Sequence, residues 1–396
     1  MGMSRPHFVL IGNYPPDGQE SMLRFAGLLA RGLASRGISV EQIAPQPVMV
    51  GKNSSPGQGL GKWLAYLDKW VVFPFALRRM VRERERELGG DVHYHVCDHS
   101  NAAYLAQLPK NRSAITCHDV LAIRGALGYP DSYCPASRTG VMLQRWILKH
   151  LRAAPRIACV SRLTLRHLCE VAGEKIPNPQ WTVLPNALNA GFRKMEAAEA
   201  LRILERNGIS IPQPFLLHVG SNLPRKNRRM LLQMITHETR TWPGWLCFAG
   251  EPPDAPLLAE AQNLGVLQRV KSVSKPGHDA LCALYRLAEA FVFPSLSEGF
   301  GWPLIEAQAC GVPVIASNVE PLPEVTGGAA LHANPHDAAE FADALWRLKD
   351  PTLRASLVEQ GLENVRRFDL DTMIAGYLEL HGAGKSPIAP TACHAA

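Results

Sequence analysis

The chain has 396 residues, 46% of them apolar and 19% charged, and a formal net charge of +7. Its length exceeds one ordinary hydrophobic core and implies two domains, and its composition excludes a disordered chain. The charge is uneven: residues 1 to 190 hold 23 Lys and Arg against 13 Asp and Glu, a balance of +10, and the remainder 19 against 22, a balance of −3. A basic first half suits nucleic acid, anionic lipid or a phosphorylated substrate, or is simply a solvated face.

The opening stretch MGMSRPHFVLIGNYPP has too short an apolar run for a signal peptide, and Pro6 stands where a myristoylation signal needs Ser or Thr, so no targeting segment is expected. HFVLIGN then reads as a buried strand, and ESMLRFAGLLARGLASRG as an amphipathic helix stopped by Gly37. ISVEQIAP follows as a second strand. The longest apolar run, Trp63 to Leu77, is interrupted by Asp68, Lys69 and Pro74 and falls short of the ~20 residues a membrane span needs.

Further strands are read at DVHYHVCDH, RSAITCHD, RIACVS and WTVLPN, with helical stretches or loops between them. After a break between Pro185 and Pro214 that includes a charged helical stretch, the rhythm restarts with FLLHVGS, GWLCFAG, RVKSVSK, EAFVFPS, VPVIAS and AALHAN. Strands alternating with helices imply parallel sheets covered on both faces, which bind ligands beyond the carboxyl ends of their strands. The expected domains are residues 1–190 and 191–369, with a flexible tail at 383–396. Nine cysteines without a CxxC pair, several inside apolar runs, suggest buried thiols in a reducing cytoplasm.

Three loops carry chemistry. In SLSEGFGWPLIEAQACG, a strand feeds a Gly-rich turn and then a helix with Pro303 near its start and Gly311 at its stop. Such a helix start suits a phosphate or a polar sugar, and Glu298 and Glu306 suit hydroxyls; alternatively Glu306 only complements the helix dipole and Glu298 only caps the turn. In FLLHVGSNLPRKNRRMLL the strand ends at Gly220 with Ser221 after it, and Arg225 and Lys226 follow in the loop. Cations there oppose the dipole of the coming helix, which points to an anion such as a diphosphate rather than a solvated basic face. Asp98 and His99 close one strand of the first half, and His118 and Asp119 close the next. His93, His95, Cys97 and His99 alternate as metal ligands might be imagined to, but period two mostly marks one face of a sheet, and no metal is expected. No GxGxxG after the first strand, GxxxxGK[ST], HExxH or GxSxG motif is present.

Taken together, FVFPSLSEGFGWPLIEAQACGVPVIAS, LPEV at Leu322 to Val325 and HVGSNLPRKN, with TCHDVLAIR, CVSRLTLRHL and VLPNALN upstream, resemble the retaining nucleotide-sugar glycosyltransferases of family four. The resemblance covers most of the chain and is strongest from Phe215 to about Asp371. It implies the α/β GT-B fold: two Rossmann-like parallel-sheet domains facing a deep cleft, with a C-terminal helix at about 370–382 crossing back to the first domain. It implies a donor site mostly in the second domain and an acceptor site mostly in the first. Glu298 and Glu306 match the family's E-x7-E pattern and would hold the donor sugar and the ribose, with Gly299, Phe300, Gly301 and Trp302 lining sugar and phosphates. Arg225 and Lys226 would neutralise the diphosphate, and Gly220, Ser221 and Gly18 would belong to the donor site. The loop PPDGQES supplies only Gly18 where the family often has a Gly-Gly pair, and FAGEPPD stands where the family often has GEGP. His118 would lie near the donor sugar and the acceptor hydroxyl, with Asp98, His99 and Asp119 on the acceptor side.

The implied reaction needs no cofactor beyond a GDP- or UDP-linked sugar as co-substrate. The implied partners are that donor and a glycan or lipid-linked acceptor, not nucleic acid. Residues 62–86, which mix aromatics with cations, either rest on the inner face of an anionic membrane or pack on the first domain. Other uses of the fold, as an epimerase, a glycan phosphorylase or a catalytically idle sugar-nucleotide binder, remain alternatives.

Overall fold

The computed structural model describes residues 6–50, 59–174, 178–189 and 191–383. The expected tail from residue 384 onward, with Cys393, and the first five residues lie outside the described residues. The chain divides into two compact units, Met1–Ile123 with Ser137–Asn189 and Leu370–Ala396, and Arg124–Ala136 with Ala190–Asp369.

The first unit is built on six parallel strands: β1 (His7–Ile11), β2 (Ser39–Ile43), β3 (Val92–Val96), β4 (Ser113–Cys117), β5 (Ile157–Cys159) and β6 (Trp181–Val183). Their order across the sheet is β2-β1-β3-β4-β5-β6. Phe8 to Ile11 and all of β4 are buried, as the near-continuous apolar reading of these strands requires for a sheet covered on both faces. The helix Glu20–Ser35 buries Phe25, Leu28, Leu29 and Leu33 on one face; each such side chain contributes about 1.5–3 kcal/mol. The helix Leu370–Leu380 belongs to this unit, where Arg36 donates to the Asp371 carbonyl at 2.7 Å and Tyr377 shares a hydrogen bond with Thr116 at 2.9 Å.

The second unit repeats the plan with β7 (Phe215–Gly220), β8 (Trp245–Gly250), β9 (Val270–Ser274), β10 (Ala290–Phe293), β11 (Val314–Ser317) and β12 (Leu331–Ala333), in the order β12-β11-β10-β7-β8-β9. Its core joins Leu216, Leu246, Phe248, Val292 and Ile315 of the sheet to Leu231, Ile235, Phe341 and Leu345 of the covering helices. The charged stretch between the units forms the helix Ala197–Arg206.

In each sheet the first strand of the unit lies inside, and the chain runs outward to one side and then to the other. The order therefore reverses between β1 and β3 and between β7 and β10. At such a reversal the loops leaving two adjacent strands part in opposite directions and leave a crevice at the carboxyl ends.

Among the described residues no helix is long and apolar enough to cross a membrane. Cys97, Cys117, Cys159, Cys169, Cys247, Cys282 and Cys310 are buried thiols.

Candidate functional site

At the reversal in the second unit, the loops after β7 and β10 are tied to each other. The chain leaves β7 at Gly220 and forms a short 3-10 turn at Pro224–Lys226, so Arg225 and Lys226 precede the next helix, Arg229–Ile235, rather than opening it. Asn227 follows with φ 49°, a left-handed conformation that asparagine tolerates. Its side-chain amide donates to the carbonyls of Pro294 and Pro335 at 3.1 and 2.8 Å. The Leu296 amide donates to the Arg225 carbonyl at 2.7 Å, and the Arg225 guanidinium donates to the Ser297 carbonyl at 3.1 Å. The backbone of one loop thus positions the side chains of the other.

Glu298 is the centre of this arrangement. Its carboxylate is 6% exposed, and Oε1 accepts from Lys226 Nζ at 2.6 Å while Oε2 lies 2.8 Å from Arg225 Nη1. Burial alone would raise its pKa, but the charges of Lys226 and Arg225 outweigh burial and hold it down to about 2. Two cations face one carboxylate, so the cluster keeps a net positive charge. The Lys226 ammonium also lies 4.9 Å from the centroid of the Phe293 ring, whose face favours a cation.

The turn after Glu298 needs glycine at position 301. Gly301 caps the helix Trp302–Ala309 with φ 103°, and a Cβ there would lie 3.1 Å from Leu304 Cδ1 and 3.2 Å from Leu322 Cδ2. Phe300 packs edge-on against Phe368, and Trp302 is buried. Glu306, about one turn into that helix, is buried too and accepts from the Tyr285 hydroxyl at 3.1 Å. Burial, reinforced by the Glu306 charge, pushes the Tyr285 phenol well above its ordinary pKa, so it stays a donor.

Beside this cluster β7 and β8 end in register at Gly220 and Gly250. Gly250 has φ 110°, and a Cβ there would lie 2.8 Å from the Gly220 oxygen, so only glycine allows the strands to end together. The FAGEPPD segment beyond is held by Arg228, which donates to the Glu251 carbonyl at 3.1 Å and to Asn222, and whose guanidinium lies 4.4 Å from the Phe248 ring centroid. Burial lowers the Arg228 pKa to about 10, still high enough to keep it charged. His218, inside β7, is pushed down to about 3 by burial and is neutral.

At the reversal in the first unit a different cluster forms. Asn13, just past β1, donates to Asp98 Oδ2 at 2.5 Å and accepts from Asn101 at 3.2 Å. Asp98, just past β3, also accepts from the Ser100 amide at 3.1 Å and the Ser100 hydroxyl at 2.7 Å, and lies 3.0 Å from His99 Nδ1. Burial opposes ionisation of Asp98, but His99, His118 and these hydrogen bonds hold its carboxyl well below the ordinary range. The same partnership raises His99 against the effect of its burial. His118 follows β4, is lowered by burial, and pairs through Nε2 with the Cys97 carbonyl at 2.9 Å. That partner accepts only, so Nε2 carries the proton and Nδ1 is the basic atom. Asp119 caps the helix Leu121–Ala126 through the Leu121 amide at 3.0 Å. Gly18 ends a 3-10 turn with φ 65° and open space where a Cβ would stand.

The residues singled out in the sequence therefore gather in two places. Glu298, Arg225, Lys226, Gly220, Ser221, Glu306 and the turn Gly299–Trp302 belong to the second unit. His118, Asp98, His99, Asp119 and Gly18 belong to the first. Sequence reading missed Asn13, Asn227, Arg228 and Tyr285. Asn13 had a visible signal, a polar residue closing a strand of buried apolar ones. Among the described residues no cluster of three or more His, Cys, Asp or Glu side chains is arranged to hold a metal ion; His93 and His95 instead join a buried cluster with His381.

Comparison with known proteins places these two clusters in context. Residues 202–364 match the pattern described as glycosyl transferases group 1, and residues 22–192 match glycosyltransferase family 4. The chain is 30% identical over 330 residues to the O-antigen chain mannosyltransferase B of Escherichia coli, across 81% of this chain and 83% of that one. The fold is similar to that of a sucrose-phosphate synthase from Thermosynechococcus elongatus, with TM-score 0.72 and 22% identity over 96% of this chain and 98% of that chain. It is also similar to the Anabaena protein HepE, solved with UDP and glucose, with TM-score 0.70 and 16% identity over 96% of this chain and 100% of that chain.

Proposed function

The chain belongs to the group 1, family 4 glycosyltransferases and has their GT-B fold, and on that premise we propose that it moves a hexose from a nucleotide-diphospho-sugar to a hydroxyl of a glycan or lipid-linked acceptor, with retention and without a metal. The observation that carries this reading is the Arg225–Lys226–Glu298 cluster, a net positive group fixed at the strand-order reversal of the second sheet. When the bond from the anomeric carbon to the phosphate oxygen breaks, the electron pair leaves with the diphosphate. Two cations already held in place stabilise that charge without reorganising, which is the largest catalytic contribution a protein usually makes.

Glu298 has two tasks in this scheme. It fixes both cations while the site is empty, and it accepts from a hydroxyl of the bound sugar. Glu306 takes the ribose hydroxyls, and the turn Gly299–Trp302 lines the sugar, with Gly220 and Ser221 beside the phosphates. In the first unit, His118 and the Asp98–His99 pair contact the acceptor side, with Asp119 holding the loop after β4. Retention follows if the acceptor oxygen bonds to the anomeric carbon on the face the diphosphate leaves and gives its proton to the departing phosphate oxygen. The relative named as a mannosyltransferase and the neighbour solved with UDP and glucose support a hexose and leave both GDP- and UDP-linked donors in play. The enzyme works at the cytoplasmic side, with residues 62–86 resting on anionic lipid.

A thermal-shift panel of nucleotide sugars, followed by product analysis with the stabilising donor and added acceptors, tests the reading. The expected result is one donor class that raises Tm and yields an acceptor glycoside of unchanged anomeric configuration in the presence of a chelator. Release of a free epimer or a sugar phosphate instead would assign the site to another reaction of this fold.

A further inference from the structure

The Asp98 cluster of the first unit is held from outside by a short irregular stretch of helix. The helices Gly59–Leu67 and Phe73–Leu88 are joined by a π turn at Asp68–Val72, in which the Phe73 amide donates to the Asp68 carbonyl five residues back. Such turns are rare within helices and recur at functional sites.

Two consecutive side chains of this turn hold the loop after β1, residues 13–19. Asp68 is fully buried, and its carboxylate accepts from the Tyr14 hydroxyl at 3.1 Å and from the Met49 and Val50 amides at 2.9 and 3.4 Å. Lys69 Nζ donates to both carboxylate oxygens of Asp17, at 2.9 and 3.2 Å. The same ammonium lies 5.6 Å from the Tyr14 ring centroid and 5.2 Å from that of Tyr66. The Lys69 side chain is only 12% exposed, which sets this pair apart from the surface ion pairs that water and salt screen.

The loop after β3 is held by the same residue. Tyr104 lies in the segment His99–Gln107, which follows Asp98 and carries Asn101, and its hydroxyl donates to the Lys69 carbonyl at 3.1 Å. Its ring packs against Phe73 and Trp70, with centroids 5.0 and 5.4 Å away. Burial pushes the Tyr104 phenol above its ordinary pKa, so it stays a donor. The two loops meet at Asn13, whose amide nitrogen donates to Asp98 and Gln19 and whose oxygen accepts from Asn101. A side-chain amide bonded at three points takes its orientation from its neighbours, so a shift of either loop moves Asn13 against Asp98.

We propose that the π turn Asp68–Val72 is a clamp on both walls of the first-unit crevice, and that Lys69 is a positioning residue for the acceptor side, its ammonium holding the loop after β1 and its carbonyl the segment after β3. The proposal rests on the reading of the Asp98 cluster as the acceptor side. Apolar packing alone would cover these loops without burying charge, but it has no direction. Hydrogen bonds from one residue to two loops fix how far apart those loops stand.

The test uses the full chain with a saturating nucleotide sugar and octyl mannoside as the acceptor probe, beside hydrogen exchange of residues 13–19 and 99–107. Lys69→Met removes the ammonium and keeps the carbonyl; Tyr104→Phe removes the hydroxyl and keeps the ring. Each should raise the KM for the probe roughly fivefold or more, with kcat within about twofold and donor affinity unchanged. Each should also speed exchange about tenfold in the loop it releases. Lys69→Arg, which keeps a donor for Asp17, should return KM toward the wild-type value. Asp17→Asn added to Lys69→Met should change KM little further, because the pair is already broken. A fall in kcat or Tm with the probe's KM unchanged makes the turn a structural part only and overturns the proposal, as does a rise in donor KM in place of the probe's. Unchanged exchange of both loops in both variants overturns the clamp whether or not the wild type uses the probe. A wild type that transfers to no acceptor overturns the transferase reading and the acceptor role with it, whereas faster exchange in both variants would then still uphold the clamp.

Discussion

The two strand-order reversals answer the same topological problem with opposite electrostatics. Between β7 and β10, Arg225 and Lys226 converge on the single carboxylate of Glu298 and leave a positive excess. Between β1 and β3, Asp98 is satisfied by Asn13, the Ser100 amide and hydroxyl, and His99, a set that gathers no Lys or Arg. The first arrangement has charge to give to an incoming anion, and the second offers neutral donors and acceptors suited to hydroxyls. In the proposed function, the same parallel-sheet plan serves a diphosphate-bearing donor in one unit and a hydroxyl-bearing acceptor in the other.

The comparison is broken most severely at Glu298. Glu298→Ala leaves two cations without the group that positions them, and turnover should fall by about 10³-fold, measured as kcat with saturating donor. Glu298→Gln, which keeps one acceptor oxygen, should retain more activity. If both variants matched the wild type, the carboxylate would have no role in positioning.

Removing charge at the other reversal should do something different. Asp98→Asn keeps shape but weakens the hold on His99 and Asn13. An increase of about tenfold in acceptor KM is expected, with donor affinity by titration nearly unchanged. A larger effect on the donor than on the acceptor would erase the distinction between the two clusters.

Acid should also separate the units. In the first, burial lowers the pKa of His93, of His95 to about 3, and of His118 and His381. In the folded chain these rings stay neutral, whereas in the unfolded chain they bind protons near pH 6.5. Their contribution is complete above about pH 6.5 and is lost as pH falls toward 3. His99 runs the other way: its raised pKa gives stability that is present at low pH and lost as pH rises through the folded value. In the second unit His218 and His332 act like the first group, while Glu298, depressed to about 2, loses its contribution only as pH falls below about 4.5. Hydrogen exchange should therefore show β3 amides losing protection before β10 amides between pH 7 and 5, a modest difference of about tenfold or less. The reverse order would contradict this assignment.

Much of the fold was legible because parallel strands buried on both faces leave short apolar runs bounded by turns. Each run from HFVLIGN to AALHAN contains a strand, generally two or three residues shorter than the reading. Glu298, Arg225 and Lys226 were visible as charged residues in post-strand loops. Their mutual pairing was not, since Lys226 and Glu298 are 72 positions apart and meet only because β7 lies beside β10. Asn13 and Asp98 are 85 positions apart and meet only because β3 inserts next to β1.

In the proposed function, fixed cations in the second unit stabilise a leaving diphosphate, and Lys226→Ala probes that role without touching the first unit. The measurement compares kcat/KM for transfer with the affinity for the free nucleoside diphosphate. A loss of about 10²-fold or more in kcat/KM is expected against less than about tenfold in affinity, because the charge develops fully only as the bond breaks. Equal losses in the two quantities would contradict it and reduce Lys226 to a binding residue.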